Sequence, residues 1–401
     1  MALFGLLGEH LSHSWSPQIH KALAGYDYDL FSIPPEMLGE FLQTTPCRGL
    51  NVTIPYKKAV IPYCVELSPA AKRLGSVNTM VKRENGWYGD NTDYAGFCAL
   101  AEPFAVQGAY ALVLGSGGAG VMAAQALRDL GAKQVDIVSR QGEVNYVNLN
   151  RDADLIVNAT PVGMYPKNGQ APVDLREFPN CKGVIDLIYN PQRTRLILDA
   201  EALGIPAVSG LRMLVVQAQK AAEQFSQQKI KDALAQKVLR SLQLQMENII
   251  LIGMPGCGKS TVGRLLAKAL NKDFLDADQV LEAQYGPIPA IFEAKGEDGF
   301  RHLETKVLDE LGKRSGCVIA TGGGAVTREE NYPLVRQNGT IVRICRPLDR
   351  LPTKGRPISQ STKLETLAQQ REPFYRAWAE YTIDNTGTPE AAVQAILEAI
   401  T

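Results

Sequence analysis

An excess of charge of either sign is missing from this chain, and its absence removes whole classes of function. The 401 residues carry 42 Lys+Arg against 42 Asp+Glu. No global basic field exists to hold a polyanion such as DNA or an anionic bilayer, so neither nucleic acid nor a membrane is expected as a partner. Histidine is scarce: His10, His13, His20 and His302 are not spaced as a ligand set with an acid, and no metal is expected in the first half. The seven cysteines (Cys47, Cys64, Cys98, Cys181, Cys257, Cys317, Cys345) are odd in number and lack any CxxC pair. That excludes a disulfide framework and a zinc ribbon, and a reducing cytoplasmic setting is expected. No run approaches the ~18 apolar residues of a membrane span. Met1 to Ser14 lacks the basic region and long apolar core of a signal peptide. Repeats and low-complexity tracts are missing too. The length exceeds what one core usually supports, so two or three globular domains are expected.

What is present is alternation. Apolar runs precede polar or glycine-rich turns at Ala111-Leu112-Val113-Leu114, Asp154-Leu155-Ile156-Val157 and Ile249-Ile250-Leu251-Ile252, with helical stretches between. This pattern predicts α/β domains with mainly parallel sheets. Ile230, Leu234, Val238 and Leu242 fall at helical spacing, predicting a closing helix followed by a very short joint near Gln243 to Glu247.

Tyr110 to Asp129 reads as strand, glycine turn, helix. Gly115, Gly117 and Gly120, with Gly118 and Ala119 between, match the dinucleotide fingerprint, in which small residues let the backbone approach a pyrophosphate at a helix N-terminus. A ligand-free glycine turn is the plain alternative. About 20 residues on, where NAD enzymes commonly carry an acid for the ribose hydroxyls, stand Ser139 and Arg140. A guanidinium there suits a 2′-phosphate, so NADP(H) is expected rather than NAD. Asp136 is read as lying inside the strand rather than at its tip.

A second nucleotide loop is Gly253-Met254-Pro255-Gly256-Cys257-Gly258-Lys259-Ser260-Thr261, which satisfies GxxxxGK[ST] between an apolar strand and a helix. Its backbone would cradle phosphates, Lys259 would reach the outer ones, and the Ser260 hydroxyl would ligate Mg2+. The GTPase base-reading motif NKxD is approximated at Asn271-Lys272-Asp273, but Phe274 stands where its aspartate should fall.

Several stretches place polar residues in apolar or turn-like settings: His13-Ser14-Trp15-Ser16-Pro17, Asn51 to Lys57, Ser76-Val77-Asn78-Thr79, Asp90-Asn91-Thr92-Asp93, Asn158 to Met164, Asp186 to Pro191, and Gly210 to Leu214 with Gln217. Over residues 3 to 225 the sequence closely resembles the shikimate dehydrogenase family. A donor must reach the oxygen of a ketone being reduced, because alkoxide charge develops there. Lys57 is the expected donor, and the resemblance sets Asp93 beside it to orient the ammonium and keep it charged. It also implies that Ser14 and Ser16 hold a substrate carboxylate, and that Thr53, Asn78, Tyr189 and Gln217 meet ring hydroxyls or the carboxylate. Asn158, Thr160, Gly210 and Met213 are expected around the cofactor. Between Arg140 and Asp154 the chain is shorter than in that family, so the crossover helix is expected to be abbreviated or absent.

Beyond the second loop come Asp276-Ala277-Asp278, Gly299 to Glu304, Thr321-Gly322-Gly323-Gly324, Gly355-Arg356-Pro357, and Arg371 four residues before Tyr375. Over residues 248 to 400 these resemble shikimate kinase. At a strand end Asp276 would serve the Mg2+ shell and Asp278 would meet the acceptor hydroxyl as base. Arg301 and Arg371 would take a carboxylate, with an Arg301–Glu304 surface pair as the plain alternative. Gly322, Gly323 and Gly324 would close on the acceptor's hydroxyls. Arg356 would descend from a lid onto the transferring phosphoryl group, with Lys354 the nearest candidate for a second cation there.

The expectation is therefore an α/β chain: a two-domain dehydrogenase with a Rossmann-type nucleotide domain, then a P-loop kinase domain with a parallel sheet. The expected limits are 1-100 for substrate, with closing helices 211-242 packed back on it, 101-210 for NADP, and 247-401 for the kinase. The expected chemistry is reduction of 3-dehydroshikimate with NADPH and phosphorylation of shikimate with ATP and Mg2+. A quinate- or aminoshikimate-type dehydrogenase with another small-molecule kinase, or one half serving as a ligand sensor, are the alternatives.

Overall fold

Three sheets arise from the alternating runs. The computed structural model describes residues 3–11, 14–351 and 364–400. It divides into two units, Met1–Asn190 with Leu196–Leu242, and Pro191–Arg195 with Gln243–Thr401.

In the first unit, β1 (Phe4–Gly8), α1 (Ser16–Ala24), β2 (Tyr28–Ser32), α2 (Leu38–Thr44), β3 (Gly49–Val52), β4 (Cys64–Leu67), α3 (Pro69–Leu74), β5 (Thr79–Arg83) and β6 (Gly86–Asp90) build a mixed sheet in the order β2-β1-β3-β5-β6-β4. Leu7, Leu50, Val52 and Met80 form its core. Then α4 (Thr92–Ala101) leads to a second sheet made from β7 (Tyr110–Leu114), α5 (Gly118–Asp129), β8 (Gln134–Val138), β9 (Leu155–Asn158), β10 (Gly183–Asp186), α6 (Arg195–Ala202) and β11 (Ala207–Ser209). It is parallel throughout, in the order β11-β10-β9-β7-β8. Every residue of β7 is buried, as a central parallel strand covered on both faces requires. Because β8 lies on one side of β7 and β9 on the other, a switch point opens at their carboxyl ends, where a ligand fits. Between β8 and β9 no helix occurs among the described residues. Turns replace it, built by Asn145 and Asn148 side chains bonding each other's backbone segment, while Leu149 packs into the core below.

The closing helices are α7 (Leu211–Ser226) and α8 (Asp232–Met246). Ile230 precedes α8, and the residues expected to form a joint, Gln243 to Met246, are its last turn; only Glu247 separates it from β12 (Asn248–Ile252). The Lys272 ammonium donates to the carbonyls of Leu244 at 2.6 Å and Glu247 at 2.7 Å, satisfying acceptors that a helix end leaves open.

The second unit continues with α9 (Lys259–Leu270), β13 (Asp273–Asp276), α10 (Ala277–Tyr285), α11 (Ile288–Gly312), β14 (Cys317–Ala320), α12 (Asn331–Arg336), β15 (Gly339–Cys345), a helix at Leu364–Trp378, β16 (Tyr381–Asp384) and a helix at Pro389–Ile400. Its sheet is parallel, in the order β13-β14-β12-β15-β16. On α9, Val262, Leu266 and Ala267 form the buried inner face, and Ala269 is exposed. No helix among the described residues is long and apolar enough to cross a membrane.

Candidate active sites

In the first unit, a cavity of about 1330 Å³ opens at the switch point. The turn that follows β7 explains why glycine is needed there. Gly115 has φ +110°, and a Cβ on Gly120 would fall 1.9 Å from the Gly115 carbonyl oxygen, so only glycine lets α5 pack this close to the strand. Over Gly117 and Gly118 the Cβ positions meet open space, and Gly118 and Ala119 line the cavity. A pyrophosphate fits such a helix N-terminus. At the end of β8, Arg140 is exposed and near enough to Tyr146 to oppose the burial that raises that phenol's pKa. Asp136 sits in mid-strand and accepts from the Tyr110 hydroxyl at 2.9 Å, so it is not at the ribose position.

Facing this cavity, the Lys57 ammonium lies 2.6 Å from Asp93 Oδ2. The Lys57 carbonyl is fixed by the Val77 N–H, and Asp93 stands in the first turn of α4, where the helix dipole favours a carboxylate. Ser14, Tyr189, Thr160 and Met213 also line the cavity. Ser14 Oγ accepts from the Ser16 N–H at 3.1 Å, and burial raises the Tyr189 pKa.

The second unit holds a cavity of about 690 Å³ over the loop between β12 and α9. Gly253 and Gly258 have φ +142° and +103°, and Cβ atoms there would strike the Ile344 carbonyl at 2.4 Å and the Asn385 amide at 2.3 Å. In this loop the Lys259 ammonium donates to the Gly253 carbonyl at 2.8 Å and lies 9% exposed. Its backbone therefore wraps a cation-tipped concavity that suits phosphate. Ser260 donates its hydroxyl to Asp276 at 2.7 Å, and an oxygen pair of this kind is the donor set a hard divalent cation takes.

Asp278 is not a strand residue: Asp276 ends β13 and caps α10, accepting from the Asp278 N–H, and Asp278 stands in the first helical turn. Both still line the cavity. Burial, reinforced by the Glu304 carboxylate and opposed by Lys259, pushes Asp278 up to about 6. Glu304 is itself buried, which raises its pKa against the pull of Arg301, and it meets Arg301 Nη1 at 2.7 Å. The pair is thus neither on the surface nor free: Arg301 also meets Glu297, and both Arg301 and Arg371 are 5% exposed on the cavity wall. A Cβ on Gly322 would lie 2.3 Å from Glu304, and one on Gly324 2.1 Å from Arg301, so this glycine run is where the ion pair needs room. Gly323 accepts the Tyr375 hydroxyl at 2.5 Å.

Family comparisons match each unit separately. A shikimate dehydrogenase substrate-binding domain is matched by residues 6–80 and a shikimate kinase by residues 255–401. The shikimate dehydrogenase (NADP(+)) of Clostridium beijerinckii is 36% identical over 259 residues, which are 59% of this chain and 96% of that protein. The chain belongs to the shikimate dehydrogenase family. Its second unit carries a shikimate kinase domain. Among solved structures, the chorismate mutase/shikimate 5-dehydrogenase fusion of Clostridium acetobutylicum is 38% identical with a TM-score of 0.58, covering 60% of this chain and 96% of that one. The Thermus thermophilus shikimate 5-dehydrogenase, solved with NADP(H) and shikimate, is 30% identical with a TM-score of 0.54, covering 60% and 99%.

Not every dehydrogenase residue expected from the motifs reaches the cavity. Asn158 is wholly buried: its amide donates to Asp186 and Val162, and its oxygen accepts the Thr160 N–H and hydroxyl. It shapes the loop that presents Thr160 and is not itself on the cavity wall. Gly210 lies off the wall, where a Cβ would be 2.1 Å from the Leu187 carbonyl. Gln217 donates its amide to Leu214 in its own helix, and Asn78 directs its oxygen to the Thr92 N–H. Ser16, which is buried at the start of α1, and half-buried Thr53 are not on the wall either. Ser139 is placed by its N–H to the Val144 carbonyl.

In the kinase domain, Pro255, Gly256, Gly258, Lys259, Ser260 and Thr261 line the cavity, but Cys257 is fully buried in the core, its N–H donating to the Met254 carbonyl at 3.2 Å and its carbonyl accepting from Asn385 at 2.8 Å, and it does not reach the wall. Arg356 and Lys354 lie outside the described residues. Sequence reasoning missed Ser76 and Asn91 on the dehydrogenase wall, although both stand inside quoted motifs, and Arg346 on the kinase wall, which no motif signals.

Proposed function

We propose that the first unit reduces 3-dehydroshikimate to shikimate with NADPH and that the second phosphorylates shikimate with ATP. The observation that carries this reading is that each cavity sets a glycine-rich phosphate turn against one proton-handling side chain, Lys57 in the first and Asp278 in the second.

In the first unit, NADPH supplies the hydride when bound. Lys57 delivers a proton to the carbonyl oxygen as alkoxide charge builds, and Asp93 holds the ammonium aimed. Ser14 and Tyr189 line the same wall and are assigned to the substrate's polar groups. Ser16, Thr53, Asn78 and Gln217 are assigned to the same groups. Arg140 is assigned to the 2′-phosphate, and its exposed guanidinium supports NADP over NAD.

In the second unit, Ser260 and Asp276 would hold Mg2+, which would neutralise phosphate charge. Asp278, which ionises near pH 6, is deprotonated at neutral pH and takes the acceptor hydroxyl's proton. Arg301 and Arg371 hold the acceptor carboxylate, and Arg356 is assigned to the transferring phosphoryl group. We also propose that the dehydrogenase divides into a substrate part, residues 1-100, and a nucleotide part, residues 101-210. A cytoplasmic setting is supported by seven free cysteines.

The test supplies the whole chain with 3-dehydroshikimate, Mg-ATP and either NADPH or NADH, following cofactor oxidation and ADP formation together. Oxidation of NADPH accompanied by ADP release is expected, with NADPH favoured at least about tenfold in kcat/KM. ADP release only when shikimate is added from outside would remove the dehydrogenase assignment.

A further inference from the structure

We infer that Thr79, a buried residue outside both the substrate and the cofactor assignments, is a positioning residue for ketone reduction: its hydroxyl helps fix the first turn of α4, and through it the carboxylate that holds Lys57. The inference rests on the reading of the first unit as a dehydrogenase.

A helix leaves its first amides without partners, and the residue at the cap usually supplies one. At α4 it does not: Asn91 makes no side-chain cap hydrogen bond. The Thr92 N–H is accepted instead by Asn78 Oδ1 at 2.7 Å, reaching across from the residue just ahead of β5. Because a backbone N–H must meet an oxygen, this contact also fixes which way the Asn78 amide is turned.

Thr79 ties that cap to the sheet. Its hydroxyl lies 3.0 Å from Asn78 Oδ1 and 3.0 Å from Thr92 Oγ1. On its other side it accepts from Asn51 Nδ2 at 3.1 Å. Asn51 is in turn oriented by the Tyr28 hydroxyl, which donates to its Oδ1 at 2.8 Å. A hydroxyl has one proton, and with Asn51 occupying an acceptor site, the Thr79 proton is directed toward the cap. Thr79 is 0% exposed and Thr92 2%, so no water offers an alternative partner and the arrangement is held to one geometry.

The next residue along α4 is Asp93, whose Oδ2 sits 2.6 Å from the Lys57 ammonium. Proton delivery needs hydrogen-bond reach, and a misplacement of about 1 Å is enough to cost rate heavily. Displacing the first turn would therefore register on the chemical step while leaving the nucleotide turn at α5 in place.

The experiment uses the full chain, whose unaltered rate of 3-dehydroshikimate reduction tests the dehydrogenase reading separately. Thr79→Val deletes the hydroxyl while keeping the branched shape. It should lower kcat for reduction about tenfold, with KM for NADPH within about twofold, and Thr79→Ser should restore most of kcat. Phosphorylation of shikimate should not change. In an Asp93→Asn background, Thr79→Val should cost clearly less than it does alone, because the route through Asp93 is already cut. Tyr28→Phe, one link farther out and milder on folding, should lower kcat about threefold. An unchanged kcat in both Thr79→Val and Tyr28→Phe, or a Thr79→Val loss as large without Asp93 as with it, would overturn the inference.

Discussion

Asp93 and Asp278 are the same residue in the first turn of a helix, yet their surroundings give them opposite work. Asp93 meets the Lys57 ammonium at 2.6 Å and holds it in position at the cavity. Asp278 meets Glu304 and Asp276 in a buried corner, with Lys259 as the opposing charge, and is raised to about 6. Where a cation is at contact distance an acid becomes a holder of position. Where acids crowd it in low dielectric, it becomes a base with some affinity for the proton it must take. One chain thus uses both routes by which an environment selects the role of a carboxylate.

The sharpest way to break the comparison is to remove each site's lysine. Lys57→Ala should reduce ketone reduction by about 10²–10⁴-fold and leave phosphorylation intact, and Lys259→Ala should do the reverse. Loss of both reactions from either change, in a chain that still melts cooperatively, would make the sites interdependent. Next in size, Arg371→Ala leaves an acceptor carboxylate without a partner. It should cost about 2–4 kcal/mol in kcat/KM for shikimate with little change in KM for ATP. Equal losses for both substrates would move Arg371 out of acceptor binding. The smallest expected effect is on pH dependence. Kinase kcat/KM should fall as pH drops through about 6, because Asp278 gains a proton there. Glu304 raises Asp278, so Glu304→Gln should shift this acidic limb to lower pH even as it weakens acceptor binding by loosening Arg301. A limb that stays in place would separate Glu304 from the basicity of Asp278.

Local pattern carried much of this. The strand, turn and helix around α5 and α9 follow from glycine spacing and apolar runs, and the shortened crossover after β8 was visible as missing length. What escaped was set by contacts distant in sequence. Glu304 stands three residues from Arg301 in a helical stretch and reads as its surface partner; in the fold it is buried, with the glycine run after β14 packed close on both. Asn158 has the composition of a binding residue, but Asp186, on the neighbouring strand, draws its amide inward. Asp278 was placed on a strand because two acids two apart look extended, whereas Asp276 caps a helix that begins at once. Gln243 to Met246 contain no Gly or Pro to stop a helix, so α8 outran the joint expected there.

Dividing this chain, by protease or at the level of the gene, would meet an obstacle at the place that looks easiest. Between α8 and β12 lies a single residue, and the interior of the second unit already leans on what precedes it. Lys272 donates to Leu244 and Glu247, and the Gly316 N–H donates to Met246. A cut just before Asn248 would strip a half-buried ammonium of its acceptors. A cut ahead of Gln243 would let the kinase keep the stub it is built around.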